Sequence, residues 1–272
     1  MKTIIVPTDF SLTAYNAATY AVNMAMAVKG EILLFHVFDI PLNYTEIVIP
    51  IDTDKMMKEV KESMEELKIA LIKNSFPSLI IRTEISMGNF FETLVNTCET
   101  SLPYMVIMGC QGTTASERFL FGSHAVNAMK HLKWPLITVP PGFLFKSYKK
   151  IGFAFDFSQH PLKIFTDKIR ELVTDFKTEL HVLNVGKEED YNPEIIFGSV
   201  LLDQIIAPVK PVYHFISYEN IEYGIMNFAE INNIDLLIVL PKQHSLFNSI
   251  LHKSSTKELV LFCPVPVMAL HQ

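Results

Sequence analysis

The stretch Ile4-Ile-Val-Pro-Thr-Asp9-Phe10-Ser11 decides the fold, because the chain writes it a second time as Ile151-Gly-Phe-Ala-Phe-Asp156-Phe157-Ser158. Each copy is a short apolar run closed by an acid, an aromatic and a serine. The run has the length and composition of a strand buried on both faces. The Asp-Phe-Ser that follows supplies carboxylate and hydroxyl oxygens for the free N–H groups of a helix start. Three more pairs keep the same order. Ile32-Leu-Leu-Phe-His36-Val37-Phe38 is matched with Thr178-Glu-Leu-His181-Val182-Leu183, Met105-Val-Ile-Met108 with Leu237-Ile-Val-Leu240, and Pro135-Leu-Ile-Thr-Val139 with Pro266-Val-Met-Ala-Leu270. Unbroken order of this kind indicates domain duplication, not a short-period solenoid. Pro140-Pro141-Gly142 punctuates the chain between the copies, which gives one domain at 1–143 and a second at 147–272.

Within the first copy, strands are expected near 2–7, 31–38, 79–86, 104–109 and 135–140. Between them run helical stripes. Ala14, Ala18, Ala21, Ala25 and Val28 form one of mostly small residues, which lets a helix lie close to a sheet. Met57, Val60, Met64, Leu67 and Leu71 form a second, Phe91, Leu94, Val95 and Cys98 a third, and Ala125, Met129 and Leu132 a shorter fourth. Alternation of this kind calls for a parallel sheet with helices on both faces. The second copy follows the same plan, with a shorter and less regular second helix near 193–207.

Composition narrows the function classes. Hydrophobic residues make up 49% of the 272, so the chain folds around real cores. A net charge of −6 argues against a general nucleic-acid binder. Cys98, Cys110 and Cys263 are odd in number and lack CxxC spacing, so neither a disulfide framework nor a zinc knuckle is indicated. The opening Met-Lys-Thr-Ile-Ile-Val-Pro is too short for a signal peptide, and no apolar run reaches the length of a membrane span. A cytoplasmic location is expected, with neither nucleic acid nor membrane as partner.

The chemistry concentrates at Gly109-Cys-Gln-Gly112 and Gly122-Ser123, between the run 104–108 and the helical pattern at 123–132. Glycines let backbone approach a ligand with no Cβ in the way. A glycine and serine at a helix start gather free N–H groups at the positive end of the helix dipole, which suits a phosphate.

Val6-Pro7-Thr8-Asp9-Phe10-Ser11, His36-Val37 and Met108-Gly109-x2-Gly112-x9-Gly122-Ser123 resemble the universal stress protein family, and the resemblance runs over essentially the whole chain as a tandem pair. It implies an α/β fold of two open five-stranded parallel-sheet domains in tandem, Rossmann-like and of the adenine nucleotide alpha hydrolase-like type. It implies a stress-response protein that binds ATP, or AMP or ADP, with Mg²⁺ on the phosphates. Asp9, with Pro7 and Thr8 beside it, would lie near adenine or ribose, and backbone groups at Val37 would contact adenine. The loop from Met108 and Gly109 through Gly112 would wrap ribose and phosphates, which Gly122, Ser123 and His124 would meet at the helix start. Family members pair through their last strands, and tandem members make that pair within one chain. A homodimer of such chains stays open.

Two departures stand out. Pro103-Tyr104 replaces the acid usual before the fourth strand, although Asp235 keeps it in the second copy. The second copy also lacks the glycines: Pro241, His244 and His252 are expected where Gly109, Gly112 and Gly122 stand in the first. A copy that builds the same sheet without them implies that the glycines serve a ligand, with the second copy a structural partner. Asp9 reads equally as a helix-start device, because Asp156 survives in the glycine-free copy. Arg118 could reach a phosphate but fits a solvated surface better, Cys110 reads as a plain small residue, and His36 and His181 read as structural. No histidine spacing indicates a metal, and no Ser/His/Asp order indicates a triad. A slow ATPase or self-phosphorylating enzyme at the same site, and an interaction module without ligand, remain the alternatives. The glycine loop has no lysine of the Walker type to support phosphoryl transfer.

Overall fold

A computed structural model describes residues 1–38, 53–73, 79–110, 124–157, 163–186, 193–241 and 253–271. The apolar runs are strands and the stripes are helices, in strict alternation. The first half comprises β1 (Thr3–Pro7), α1 (Leu12–Val28), β2 (Glu31–Phe38), α2 (Thr53–Lys73), β3 (Ile81–Met87), α3 (Phe90–Ser101), β4 (Met105–Gly109), α4 (124–131) and β5 (Leu136–Val139). The second comprises β6 (Lys150–Ala154), α5 (Lys163–Phe176), β7 (Glu179–Gly186), α6 (Pro193–Ile206), β8 (Val212–Ser217), α7 (Ile221–Ile231), β9 (Leu236–Val239), α8 (Lys253–Phe262) and β10 (Val267–Ala269).

Each half orders its five strands alike, and the halves join edge to edge in one ten-stranded sheet, β3-β2-β1-β4-β5-β10-β9-β6-β7-β8. All pairings inside a half are parallel. At the seam β10 runs antiparallel to β5, with Val267 opposite Thr138 and Ala269 opposite Leu136. The carboxyl ends of the strands therefore point one way in the first half and the opposite way in the second.

Burial on both faces explains the unbroken apolar runs. Along β1, Ile4 and Val6 join one core and Ile5 the other, as the two-residue period of a strand requires. Helices α1 and α2 cover the first face through Ala17, Ala21, Met64 and Leu71, and α5 and α6 continue that layer through Phe165, Ile169 and Leu202. Helices α3, α4, α7 and α8 cover the other face through Leu94, Met129, Phe228 and Leu259. Ser11 caps α1 by accepting the Ala14 N–H at 3.1 Å, and Lys29 ends it in the left-handed region at φ 53°. The second helix of the second half spans 14 residues against 21 for α2.

The strand register corrects two of the sequence pairings between the halves. Thr3 pairs with Glu31 and Lys150 with Glu179, so His36 corresponds to Asn184, and His181 to Leu33. His181 instead meets His214 across β7 and β8, Nδ1 to Nε2 at 3.0 Å. On the far side of each half, Val106 takes the carbonyl of Pro135 and Leu237 that of Pro266. Gly109 therefore corresponds to Leu240, not Pro241. Runs of Leu, Ile and Val look alike when slid by one or three places; the hydrogen-bond ladder fixes what the composition leaves open.

The segment joining the halves is packed. Asn16 donates its side-chain amide to the carbonyls of Pro140 and Phe143. Phe145 stands edge-on to Tyr20, Tyr148 and Phe176, and the hydroxyls of Tyr20 and Tyr148 share a hydrogen bond. The missing acid before β4 also finds its reason. Asp235 accepts the backbone N–H groups of Lys149 and Lys150 and so anchors the chain entering β6. Tyr104, in the matching place, sends its hydroxyl to Asp175 of the other half at 2.7 Å, where Lys2 also binds that carboxylate.

Candidate functional site

In an open parallel sheet the crevice lies beyond the carboxyl ends of the strands where the strand order reverses. In the first half that point falls between β1 and β4. A cavity of about 250 Å³ opens there. Pro7, Thr8 and Asp9 from the end of β1, Val37 from β2, Met108 and Gly109 from β4, and His124 from the start of the described part of α4 all line it. These are the sequence-derived candidates that fall among the described residues, and the fold brings them together. Gly112, Gly122 and Ser123 lie outside the described residues, as do Arg118, Ser158, His244 and His252.

The turn after β1 is built locally. Asp9 Oδ1 accepts the Ser11 N–H at 2.9 Å, and Thr8 Oγ1 accepts the Phe10 N–H at 3.1 Å. Phe10 sits at φ 64° between them, a left-handed conformation that costs free energy for a side chain of its size. Ser11, not Asp9, is the cap of α1. Asp9 fixes the turn with one oxygen, and its other oxygen has no hydrogen-bond partner among the described residues.

Beside this turn, β2 outlasts β1. The last bond between them runs from the Thr8 N–H to the Phe35 carbonyl at 2.8 Å. On the other side, Gly88 donates to the Phe38 carbonyl at 3.2 Å. Backbone groups of alternate residues in a strand face the same neighbour. Val37 therefore turns its N–H and C=O toward the side that β1 has vacated, and no backbone partner among the described residues meets them.

Gly109 is a packing requirement. A Cβ there would stand 2.6 Å from the Thr13 methyl group and 2.9 Å from the Thr13 carbonyl oxygen, so α1 can lie on β4 only without it. In the second half Leu240 fills the matching place as part of the core. The chain also takes a different path there: the Phe157 backbone lies directly against Gly198 of α6. The absence of a glycine at this place in the second half therefore has a structural explanation, and Gly109 alone does not argue for a ligand. Cys110 is buried with Sγ 3.4 Å from the Val139 carbonyl, and burial pushes its thiol up to about 12. It is an inert packing residue.

One wall of the cavity was not foreseen. Gly88 and Asn89, between β3 and α3, and Phe90 at the start of α3 line it together with Ser11, Thr13, Ala14 and His36. Gly88 holds φ 127°, and Asn89 caps α3 by accepting the Phe91 and Glu92 N–H groups at 3.0 and 3.1 Å. The rings of Phe90 and His124 approach to 4.7 Å, bridging α3 and α4 at the cavity. Met87-Gly88-Asn89, a glycine and a capping residue just after a strand, is the signal that could have found this wall. In the second half Tyr218 occupies the place of Gly88, donating to the Gly186 carbonyl as Gly88 does to Phe38.

Residues 1–140 match the universal stress protein family. The chain is 28% identical over 143 residues to the universal stress protein MJ0531 of Methanocaldococcus jannaschii, covering 51% of this chain and 81% of that one. The fold of the whole chain is shared with a universal stress protein from Archaeoglobus fulgidus, at a TM-score of 0.70 and 18% identity, over 99% of this chain and 96% of that one. It is shared also with the protein PA1789 of Pseudomonas aeruginosa, at a TM-score of 0.63 and 9% identity, over 100% and 92% of the two chains. From the match across its amino-terminal half, the chain belongs to the universal stress protein family.

Proposed function

We propose that the first half, residues 1–143, binds an adenine nucleotide in the cavity between β1, β2 and β4, and that the second half, residues 147–272, is its structural partner across the β5–β10 seam. The observation that carries this reading is the N–H and C=O of Val37 at the cavity wall, which meet no backbone partner among the described residues. A donor beside an acceptor on one strand edge complements the N1 acceptor and amino donor of adenine. Among the other walls Pro7, Ala14 and Met108 are apolar, Thr8, His36 and Asn89 are polar, and Asp9 is the carboxylate. The phosphates would extend toward His124.

The lining supports binding more than turnover. No lysine or arginine stands among its described residues, and phosphoryl transfer needs positioned positive charge. Nor do the described residues include a group of three His, Cys, Asp or Glu side chains arranged for a metal ion. Magnesium arriving with ATP would keep to phosphate oxygens and water. The function that fits is sensing: a ligand that prefers one arrangement of the cavity rim shifts the population toward it.

Thermal melting with and without ATP-Mg²⁺ tests the reading. A ligand at a hundred times its Kd raises stability by about 2.7 kcal/mol, and a rise in Tm with ATP is expected. Melting unchanged at millimolar ATP-Mg²⁺ would refute it.

A further inference from the structure

His36 holds a place in the cavity wall that the fold does not require to be a histidine. Its Nδ1 lies 2.7 Å from the Thr8 carbonyl oxygen. A carbonyl can only accept, so Nδ1 carries the proton, and in the neutral ring Nε2 is left as an acceptor. Nε2 has no hydrogen-bond partner among the described residues, and the ring lines the cavity next to Val37. Phe10 holds the ring from one side, centroid to centroid 4.7 Å. The second half shows what the fold asks of this position. Asn184 stands there and donates Nδ2 to the Phe155 carbonyl at 3.1 Å, the bond that His36 makes to Thr8. Asn184 is buried at 3% exposure, whereas His36 is only partly covered. A donor toward the turn is structural; the imidazole adds an acceptor turned to the ligand.

We propose that His36 is a specificity-determining residue, its Nε2 accepting a hydrogen from the exocyclic amino group of the bound base. This rests on the adenine-nucleotide reading above. An amino group has two hydrogens, one for the Val37 carbonyl and one for His36 Nε2. A base with a carbonyl at that position brings an acceptor against an acceptor and leaves the buried lone pairs unmet.

The test compares ATP with ITP, which differ by the amino and oxo groups, in equilibrium binding to the full chain and to His36→Asn. Asparagine keeps the bond to Thr8, as Asn184 does to Phe155, but is too short to reach the base. The wild type is expected to prefer ATP, and the substitution to narrow the ATP-to-ITP ratio about fivefold. A wild-type readout stands beside it, so the test survives a variant that folds poorly. In imidazole ¹⁵N spectra, ATP should shift the Nε2 signal of His36 while ITP leaves it in place. An unchanged ratio in His36→Asn, or an Nε2 signal indifferent to ATP, overturns the role of His36 while nucleotide binding stands. Failure of the wild type to bind ATP at all overturns both.

Discussion

Replacing Gly109 with alanine separates the fold role of the loop from any ligand role. The new Cβ would meet the Thr13 methyl group at 2.6 Å, its carbonyl oxygen at 2.9 Å and its carbonyl carbon at 3.0 Å. The methyl group can rotate away only in part, and the carbonyl belongs to the first turn of α1 and cannot. Helix α1 must therefore back off β4 by several tenths of an ångström, through a core that includes Ala17, Ala21 and Ile107. Overpacking of this kind costs about 1–3 kcal/mol, or roughly 2–10 °C in Tm for a chain of this size. The assay is urea and thermal unfolding with no nucleotide present. Gly109→Ala combined with Thr13→Ser, which removes the methyl group but not the carbonyl, should recover part of the loss. A Gly109→Ala chain within about 0.5 kcal/mol of the wild type without ligand would refute the packing account, and a defect confined to the increment produced by ATP would restore the ligand account.

Phe145→Ala removes the ring wedged among Tyr20, Tyr148 and Phe176 and should cost about 3–5 kcal/mol in urea unfolding. Asn89→Ala loses the acceptor of two N–H groups at the start of α3 and should cost about 1 kcal/mol, read in the same way. Burial holds His271 below the ordinary histidine value, with the charge of His131 adding to this and the carbonyls of Lys130 and Met129 only partly offsetting it. The unfolded chain thus takes up that proton at higher pH than the folded one. Its contribution to stability is present above about pH 6.5 and is lost as the pH falls below that; His271→Phe should flatten the fall in Tm over this window. Burial pushes the thiols of Cys98 and Cys110 up to about 12 and that of Cys263 to about 11, so iodoacetamide at neutral pH should label them only in the unfolded chain.

Much of the architecture was legible because the strands are buried on both faces. A run such as Met105-Val-Ile-Met108 has no polar residue to blur its ends, and the strand expected at 104–109 is found at Met105–Gly109. The same uniformity hid the correspondence between the halves. The pairing of His36 with His181 was off by three residues, and that of Gly109 with Pro241 by one, because an apolar run offers no landmark within itself. The landmarks are hydrogen bonds, from Thr8 to Phe35 and from Phe155 to Leu183. The cavity was half legible. Asp9, Val37 and Gly109 belong to a recognisable pattern, but Gly88 reads as an ordinary turn until β3 is placed beside β2. The close approach of Thr13 to Gly109 depends on how near α1 lies to the sheet, a distance that the alanine stripe permits without stating.

The seam between β5 and β10 is short, three facing residue pairs with Thr138 Oγ1 reaching the Val267 carbonyl. Around it the two halves share their cores, and Tyr104 and Lys2 reach Asp175 across the join, so the halves meet over more than the strand pair. Tethered by residues 140–149, the edges find each other at an effective concentration in the millimolar range however dilute the protein is. Covalent fusion also fixes the stoichiometry at one amino-terminal half for each carboxy-terminal half. Released from assembling with identical copies, the carboxy-terminal half could place Leu240 and Tyr218 where its sister keeps glycines and still hold the edge that β5 needs.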